Sequence, residues 1–257
     1  MPTPRVLILR APGANCDLET AFAFEQAGGL PERVHINRLL EQPRLVEDFQ
    51  ILCLPGGFSY GDDIASGRIL ANQIRQHLTD CLHAFRDAGK LVLGICNGFQ
   101  VLIRSGILLP EDAQGPLATL TSNDSDKFED RWVQLRVASD RCVMLQDIEQ
   151  MYLPIAHAEG KFVARDAAVL DQLERAGQLV LRYGSQTGAS EPCYPDNPNG
   201  STCHVAGVCD TTGRVFGLMP HPERHIDRLQ HPRWTRDPGN ETGDGLKVFQ
   251  NAVRYFS

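Results

Sequence analysis

Short apolar runs alternate with amphipathic stretches through the first half of the chain. Arg5–Leu9, Gln50–Leu54 and Leu91–Ile95 are nearly unbroken apolar runs, and Val34–Ile36 is a shorter one. Runs of this length with little polar alternation predict strands buried on both faces, the signature of a parallel sheet covered by helices. A helix is predicted from about Asp17 to Gln26 and another over Asn97–Ser105. Leu70, Ile74, Leu78, Cys81 or Leu82, and Phe85 recur at helical spacing, which predicts one long amphipathic helix over residues 67–88, stopped by Gly89. The second half differs. Trp132–Ala138, Met151–Ala156, Gln178–Tyr183, His204–Cys209 and Val215–Met219 read as strands with hairpin-like spacing. Asp166–Ala176 and Gly245–Phe256 read as helices, and Ser185–Ser201, crowded with Pro, Gly and Asn, reads as a loop. No repeat or compositional break marks a linker, so residues 1–257 are expected to form one mixed α/β domain with an antiparallel portion in its second half.

Composition narrows the function classes. The 257 residues are 42% hydrophobic and 22% charged, as in a folded domain rather than a disordered chain. A net charge of −7 with no basic block argues against nucleic acid as a partner. No apolar run approaches the length of a membrane span, and the N-terminal run VLIL is too short for a signal peptide, so a cytoplasmic location is expected. The sequons at Asn123, Asn199 and Asn240 then read as chance. The eight cysteines are scattered without a C-x-x-C pair, which predicts mostly buried, reduced thiols.

Cys96 is the exception. Gly94-Ile-Cys96-Asn-Gly98 has the form G-x-C-x-G where a strand hands over to a helix, the layout of a nucleophile elbow with Cys in place of Ser. A thiol at a helix N-terminus is favoured as thiolate. Such a nucleophile needs a base and an orienting group, and two H-x-E pairs offer them: His157-Ala-Glu159 and His221-Pro-Glu223. Each follows a predicted strand, so local pattern leaves both open, although Pro222 restrains the second pair. Acyl chemistry also needs oxyanion donors. The Asn97 N–H falls at one elbow position and the Pro55-Gly56-Gly57 turn at the other. His221, His225, His231 and Asp227 could be metal ligands, but Pro222 and Pro232 break the helix such spacing would need, and no metal is expected. Neither a Walker A lysine motif nor a G-x-G-x-x-G fingerprint is present, so ATP chemistry is expected to take place elsewhere.

Together the segments PGANCD (12–17), LPGGFSYGDD (54–63), LGICNGFQ (93–100), RWVQLRV (131–137), PIAHAEGKF (154–162), NPNGS (197–201) and GLMPHPER (217–224) resemble the class I glutamine amidotransferases, in the branch that serves purine biosynthesis. The resemblance covers nearly the whole chain. It implies a flavodoxin-like α/β fold with a mixed, mainly parallel sheet flanked by helices. It implies glutamine hydrolysis through a thioester on Cys96, with His221 as base, Glu223 as third member, and the Gly57 and Asn97 N–H groups as the oxyanion hole. Gln100, His157 and Gly160 fall in the glutamine-holding wall. Resemblance thus settles the choice between the two H-x-E pairs. Ammonia would pass to an ATP- and Mg-using synthetase large subunit that makes formylglycinamidine ribonucleotide, with room in the complex for a small third subunit. This chain itself would need no cofactor. Ala158 and Lys161 are mild departures from the pattern, and His225–Asp244 is a longer excursion than expected. That excursion and GGFSYGDD are expected to flank the site's mouth and to meet the partner.

Overall fold

The computed structural model describes residues 3–185, 188, 191–236 and 241–257. In chain order the first half runs β1 (Arg5–Arg10), α1 (Asp17–Gln26), β2 (Leu30–His35), α2 (Ile36–Glu41), β3 (Ile51–Leu54), α3 (Arg68–His77), α4 (Thr79–Asp87), β4 (Leu91–Ile95) and α5 (Asn97–Ser105). The second half adds β5 (Ala118–Thr121), β6 (Glu129–Val137), β7 (Gln150–His157), β8 (Lys161–Ala164), α6 (Ala167–Arg175), β9 (Leu181–Gly184), β10 (Val205–Cys209), β11 (Val215–Leu218) and α7 (Leu246–Arg254).

Nine strands form one sheet in the order β2-β1-β3-β4-β11-β10-β9-β6-β7. Pairing is parallel from β2 to β11 and antiparallel from β11 to β7. The apolar runs of β3 and β4 are buried at every position, as a sheet covered on both faces requires. Strand β11 joins the parallel half by pairing Leu218 with Ile95, so the residues that follow β3, β4 and β11 emerge at one edge. Strand order reverses between β1 and β3, and ligands of open α/β sheets bind at the carboxyl ends beside such a reversal.

Three readings of the sequence are corrected here. The predicted helix over 67–88 is two helices, broken at Leu78, which leaves helical geometry at φ −123 and ψ −3. The apolar stripe continues through the break because Leu78 and Leu82 are both buried, but α3 packs on α5 while α4 packs on residues 43–48. The second strand begins at Leu30, ahead of the apolar core at Val34, because its outer positions are partly exposed. Strands β5 and β8 pair in a small separate sheet that the sequence reading did not include. Four-residue strands offer too few alternations to register as a period. Asn123 and Asn199 are buried, with their amides spent in hydrogen bonds, consistent with chance sequons; Asn240 lies outside the described residues. Among the described residues no helix is long and apolar enough to cross a membrane.

Candidate active site

Cys96 sits between the end of β4 and the start of α5 with φ +50 and ψ −105, a left-handed turn rarely adopted by a residue with a side chain. The flanking glycines make that turn possible. A Cβ on Gly98 would lie 1.9 Å from the Leu54 carbonyl oxygen, and one on Gly94 would lie 2.7 Å from the Gly98 oxygen. The backbone of α5 therefore rests directly on β3 and β4, held further by the Cys96 N–H donating to Leu218 O at 2.8 Å. The thiol is 5% exposed and donates to Ala156 O at 3.7 Å.

Past the end of β11, His221 Nδ1 meets Glu223 Oε1 at 2.6 Å, with both side chains essentially buried. Burial alone would drive this imidazole toward neutrality. Glu223, the Cys96 thiol and the nearby Cys16 overcome that penalty and raise His221 well above the ordinary histidine range. Because Nδ1 faces the carboxylate, Nε2 is the nitrogen left for proton transfer, with the Cys96 and Cys16 sulfurs beside the ring. Cys96 and His221 line one cavity of about 240 Å³ with Asn15, Gly57, Phe58, Phe128, Asp130, Ala156 and Arg224.

His157 is equally buried but differently wired. Its Nδ1 lies 3.1 Å from Asn123 Oδ1, which also accepts from the Gly160 N–H at 3.1 Å. The Asn123 amide nitrogen donates to His157 O and Lys127 O, fixing the amide's orientation. Nδ1 must then carry the proton, so the ring is a neutral Nδ1–H tautomer. Burial lowers its pKa to about 3. Glu159 turns away to Arg104 at 3.5 Å, while its carbonyl accepts from Gln100 Nε2 at 2.5 Å. A Cβ on Gly160 would strike the His157 ring at 2.2 Å, so this turn needs glycine. Gln100, His157 and Gly160 thus fall into one hydrogen-bonded wall beside Cys96, completed by Asn199 donating to Gly160 O at 2.8 Å.

Gly57 follows β3 at φ +132, where a Cβ would lie 2.5 Å from the Asn15 nitrogen. No backbone acceptor takes the Gly57 or Asn97 N–H among the described residues. The Asn97 side chain ties the two segments together, accepting from Ser59 N and donating to Asp62 Oδ1, each at 3.2 Å. The structure therefore gathers Cys96, His221, Glu223, Gly57 and Asn97 at one edge of the sheet.

The weighed histidine–aspartate metal set is not assembled. His225 and His231 pack against Trp132 at ring distances of 4.9 and 4.5 Å, and His225 Nδ1 is engaged by Tyr152 O. Sequence reasoning missed Asn123, read only as a sequon, and Cys16, read as an inert thiol. A usable signal for Cys16 was its position after β1, on the same sheet edge as Cys96.

The chain belongs to the CobB/CobQ-like glutamine amidotransferase family, whose domain matches residues 3–256. It is 46% identical over 256 residues to the phosphoribosylformylglycinamidine synthase subunit PurQ of Dehalococcoides mccartyi, covering 99% of this chain and 98% of that one. The same subunit of Methanococcus maripaludis is 41% identical over 267 residues, with 99% and 98% covered. A chain from the structure of PurLQS from Thermotoga maritima matches over 100% of both chains, with 33% identity and a TM-score of 0.75. A Thermotoga maritima glutamine amidotransferase, 15% identical with a TM-score of 0.55, shares the fold.

Proposed function

We propose that Cys96, His221 and Glu223 carry out glutamine hydrolysis in a chain that is the glutaminase subunit of phosphoribosylformylglycinamidine synthase, in purine biosynthesis. The observation that carries the residue roles is the strained Cys96 turn sharing one cavity with an imidazole whose far nitrogen is fixed by Glu223. His221 takes the Cys96 proton, and the sulfur attacks the side-chain amide carbon of glutamine. The Gly57 and Asn97 N–H groups receive the developing oxyanion. Collapse breaks the C–N bond as His221 returns the proton, releasing ammonia and leaving a γ-glutamyl thioester. Water, deprotonated by His221, then cleaves the thioester to glutamate and restores the thiol. Gln100, His157 and Gly160 shape the glutamine pocket.

Free ammonia is mostly protonated near neutral pH and so is not nucleophilic, which favours direct delivery. Its recipient is the synthetase large subunit, with a small third subunit in the complex, the PurL and PurS of the Thermotoga assembly's name. ATP and Mg belong to the synthetase in this reading, and no cofactor is assigned to this chain. The whole chain acts as one amidotransferase domain in the cytoplasm, docking through the cavity mouth, where Phe58 and Phe128 stand exposed with their rings 6.3 Å apart.

In the reconstituted complex, Cys96→Ala abolishes glutamine-dependent synthesis and leaves ammonium-dependent synthesis intact. A glutamine-like diazoketone labels Cys96 alone among the eight cysteines. Labelling chiefly at Cys16 or Cys53 overturns the assignment.

A further inference from the structure

Cys16 and Arg224 have no part in the steps above, yet both touch the machinery. Arg224 follows Glu223 directly. Its Nη2 donates to Cys16 Sγ at 3.1 Å, its Nε donates to Glu19 Oε1 at 2.9 Å, and the same Nε lies 3.9 Å from Glu223 Oε1. Cys16 is 1% exposed, and its S–H donates to Asn15 Oδ1 at 3.6 Å.

We propose that Arg224 and Cys16 form a positioning clamp that holds the His221–Glu223 pair in register with the oxyanion loop at Gly57. Cys16 belongs to the segment after β1, and that segment supports the Gly57 loop. Cys16 N donates to Gly56 O at 3.2 Å, Phe58 N to Gly13 O at 2.8 Å, and Tyr60 N to Pro12 O at 2.7 Å. Gly56 is squeezed between the two sides of the clamp, since a Cβ there would lie 2.8 Å from His221 Cε1 and 3.2 Å from Cys16 Sγ. Segments far apart in sequence, one bearing the base and one bearing an oxyanion donor, are thus joined through the Arg224 guanidinium, with Cys16 and Glu19 as its partners. Burial pushes the Cys16 thiol up, which keeps it as S–H, able to accept from Arg224 and donate to Asn15 at once.

A metal at this place is the competing reading, because Cys16, His221 and Glu223 bring ligand atoms within 4.8 Å of one another. Arg224 answers it by placing a fixed positive charge where the cation would bind.

The inference rests on the proposed roles of Cys96 and His221, so Cys96→Ala accompanies the test. Glutamine turnover by the assembled complex is measured for Cys16→Ala, Cys16→Ser, Arg224→Gln and Arg224→Lys. Thermal unfolding and ammonium-dependent synthesis report fold and assembly. Cys16→Ala and Arg224→Gln are expected to lower kcat about ten- to a hundredfold with little change in KM, as for a small misalignment of reacting groups. Serine can accept and donate as the thiol does, so Cys16→Ser recovers most of the loss. Lysine cannot span Glu19 and Cys16 together, so Arg224→Lys does not. If Cys16→Ala unfolds, the serine and lysine variants carry the test.

The groups facing His221 are Glu223, Cys96, Cys16, Arg224 and His157. Removing the Arg224 cation beside Glu223 stabilises protonated His221, so the limb of the pH–rate profile that His221 sets moves to higher pH in Arg224→Gln. Wild-type kcat in Cys16→Ala and Arg224→Gln, equal losses in Cys16→Ala and Cys16→Ser, or an unmoved His221 limb overturns the clamp. Glutamine turnover surviving Cys96→Ala overturns instead the reading on which it rests.

Discussion

His157-Ala-Glu159 and His221-Pro-Glu223 share a sequence pattern, and each begins at or just past the end of a strand with its histidine buried. Their surroundings push the two rings in opposite directions. In the later pair Nδ1 faces a carboxylate at 2.6 Å, and the imidazole is held toward its charged form. In the earlier pair Nδ1 faces the neutral Asn123 amide, Glu159 leaves for Arg104, and the imidazole stays uncharged. Burial is common to both, so the atom opposite Nδ1 decides what each ring can do. A base for thiol activation needs the first arrangement, and a fixed wall for a substrate suits the second.

The sharpest way to break this comparison is kinetic. His221→Ala should lower kcat for glutamine hydrolysis about a thousandfold or more, because base and nucleophile act as a unit. His157→Ala should act mainly on KM, with a loss in kcat of about tenfold or less. A larger kcat loss in His157→Ala, with both variants folded, reverses the assignment.

A smaller effect tests the wiring of the neutral ring. Asn123→Leu removes the acceptor shared by His157 Nδ1 and the Gly160 N–H. Each orphaned buried donor costs about 1–3 kcal/mol, so denaturant unfolding should show a loss of that order, with KM for glutamine raised. Unchanged stability would mean that this shell does not brace the wall.

The effect that is smallest at neutral pH is a difference in slope. With a folded pKa of about 3, His157 takes up its proton only in the unfolded chain across the acid range. Its stabilising contribution is complete above about pH 6.5 and falls by about 1.4 kcal/mol per pH unit below that, down to about pH 3. His221 has the opposite sign, since its raised pKa adds stability at low pH that is lost as pH climbs through the folded value. His157→Asn should therefore flatten the acid loss of stability and His221→Asn should steepen it. Equal profiles for the two variants would erase the distinction.

The residues themselves made part of this site legible. G-x-C-x-G announces the elbow because at both flanking glycines a Cβ would collide with backbone. Helix α6 was equally readable, since Asp166 caps it by accepting from Val169 N. The choice between the H-x-E pairs was not readable locally, because Asn123 lies 34 residues from His157 and no short pattern links them. Likewise Arg224 reaches Cys16 across 208 residues. The break at Leu78 was hidden because the apolar stripe stays in phase while the packing partner changes.

Strand β7, which carries His157 at its end, is the outermost strand of the sheet. An outermost strand is an open invitation to a second chain, since its outward N–H and C=O groups can template further pairing. Here the invitation is withdrawn. Asp244 accepts from Tyr152 N at 2.8 Å, His225 engages Tyr152 O at 2.9 Å, and His221 N donates to Pro154 O at 2.8 Å, while Pro154 has no N–H to offer. The His221 turn, with His225 and Asp244 at the two ends of the excursion that follows, thus occupies backbone groups of the border strand that would otherwise be open to another chain.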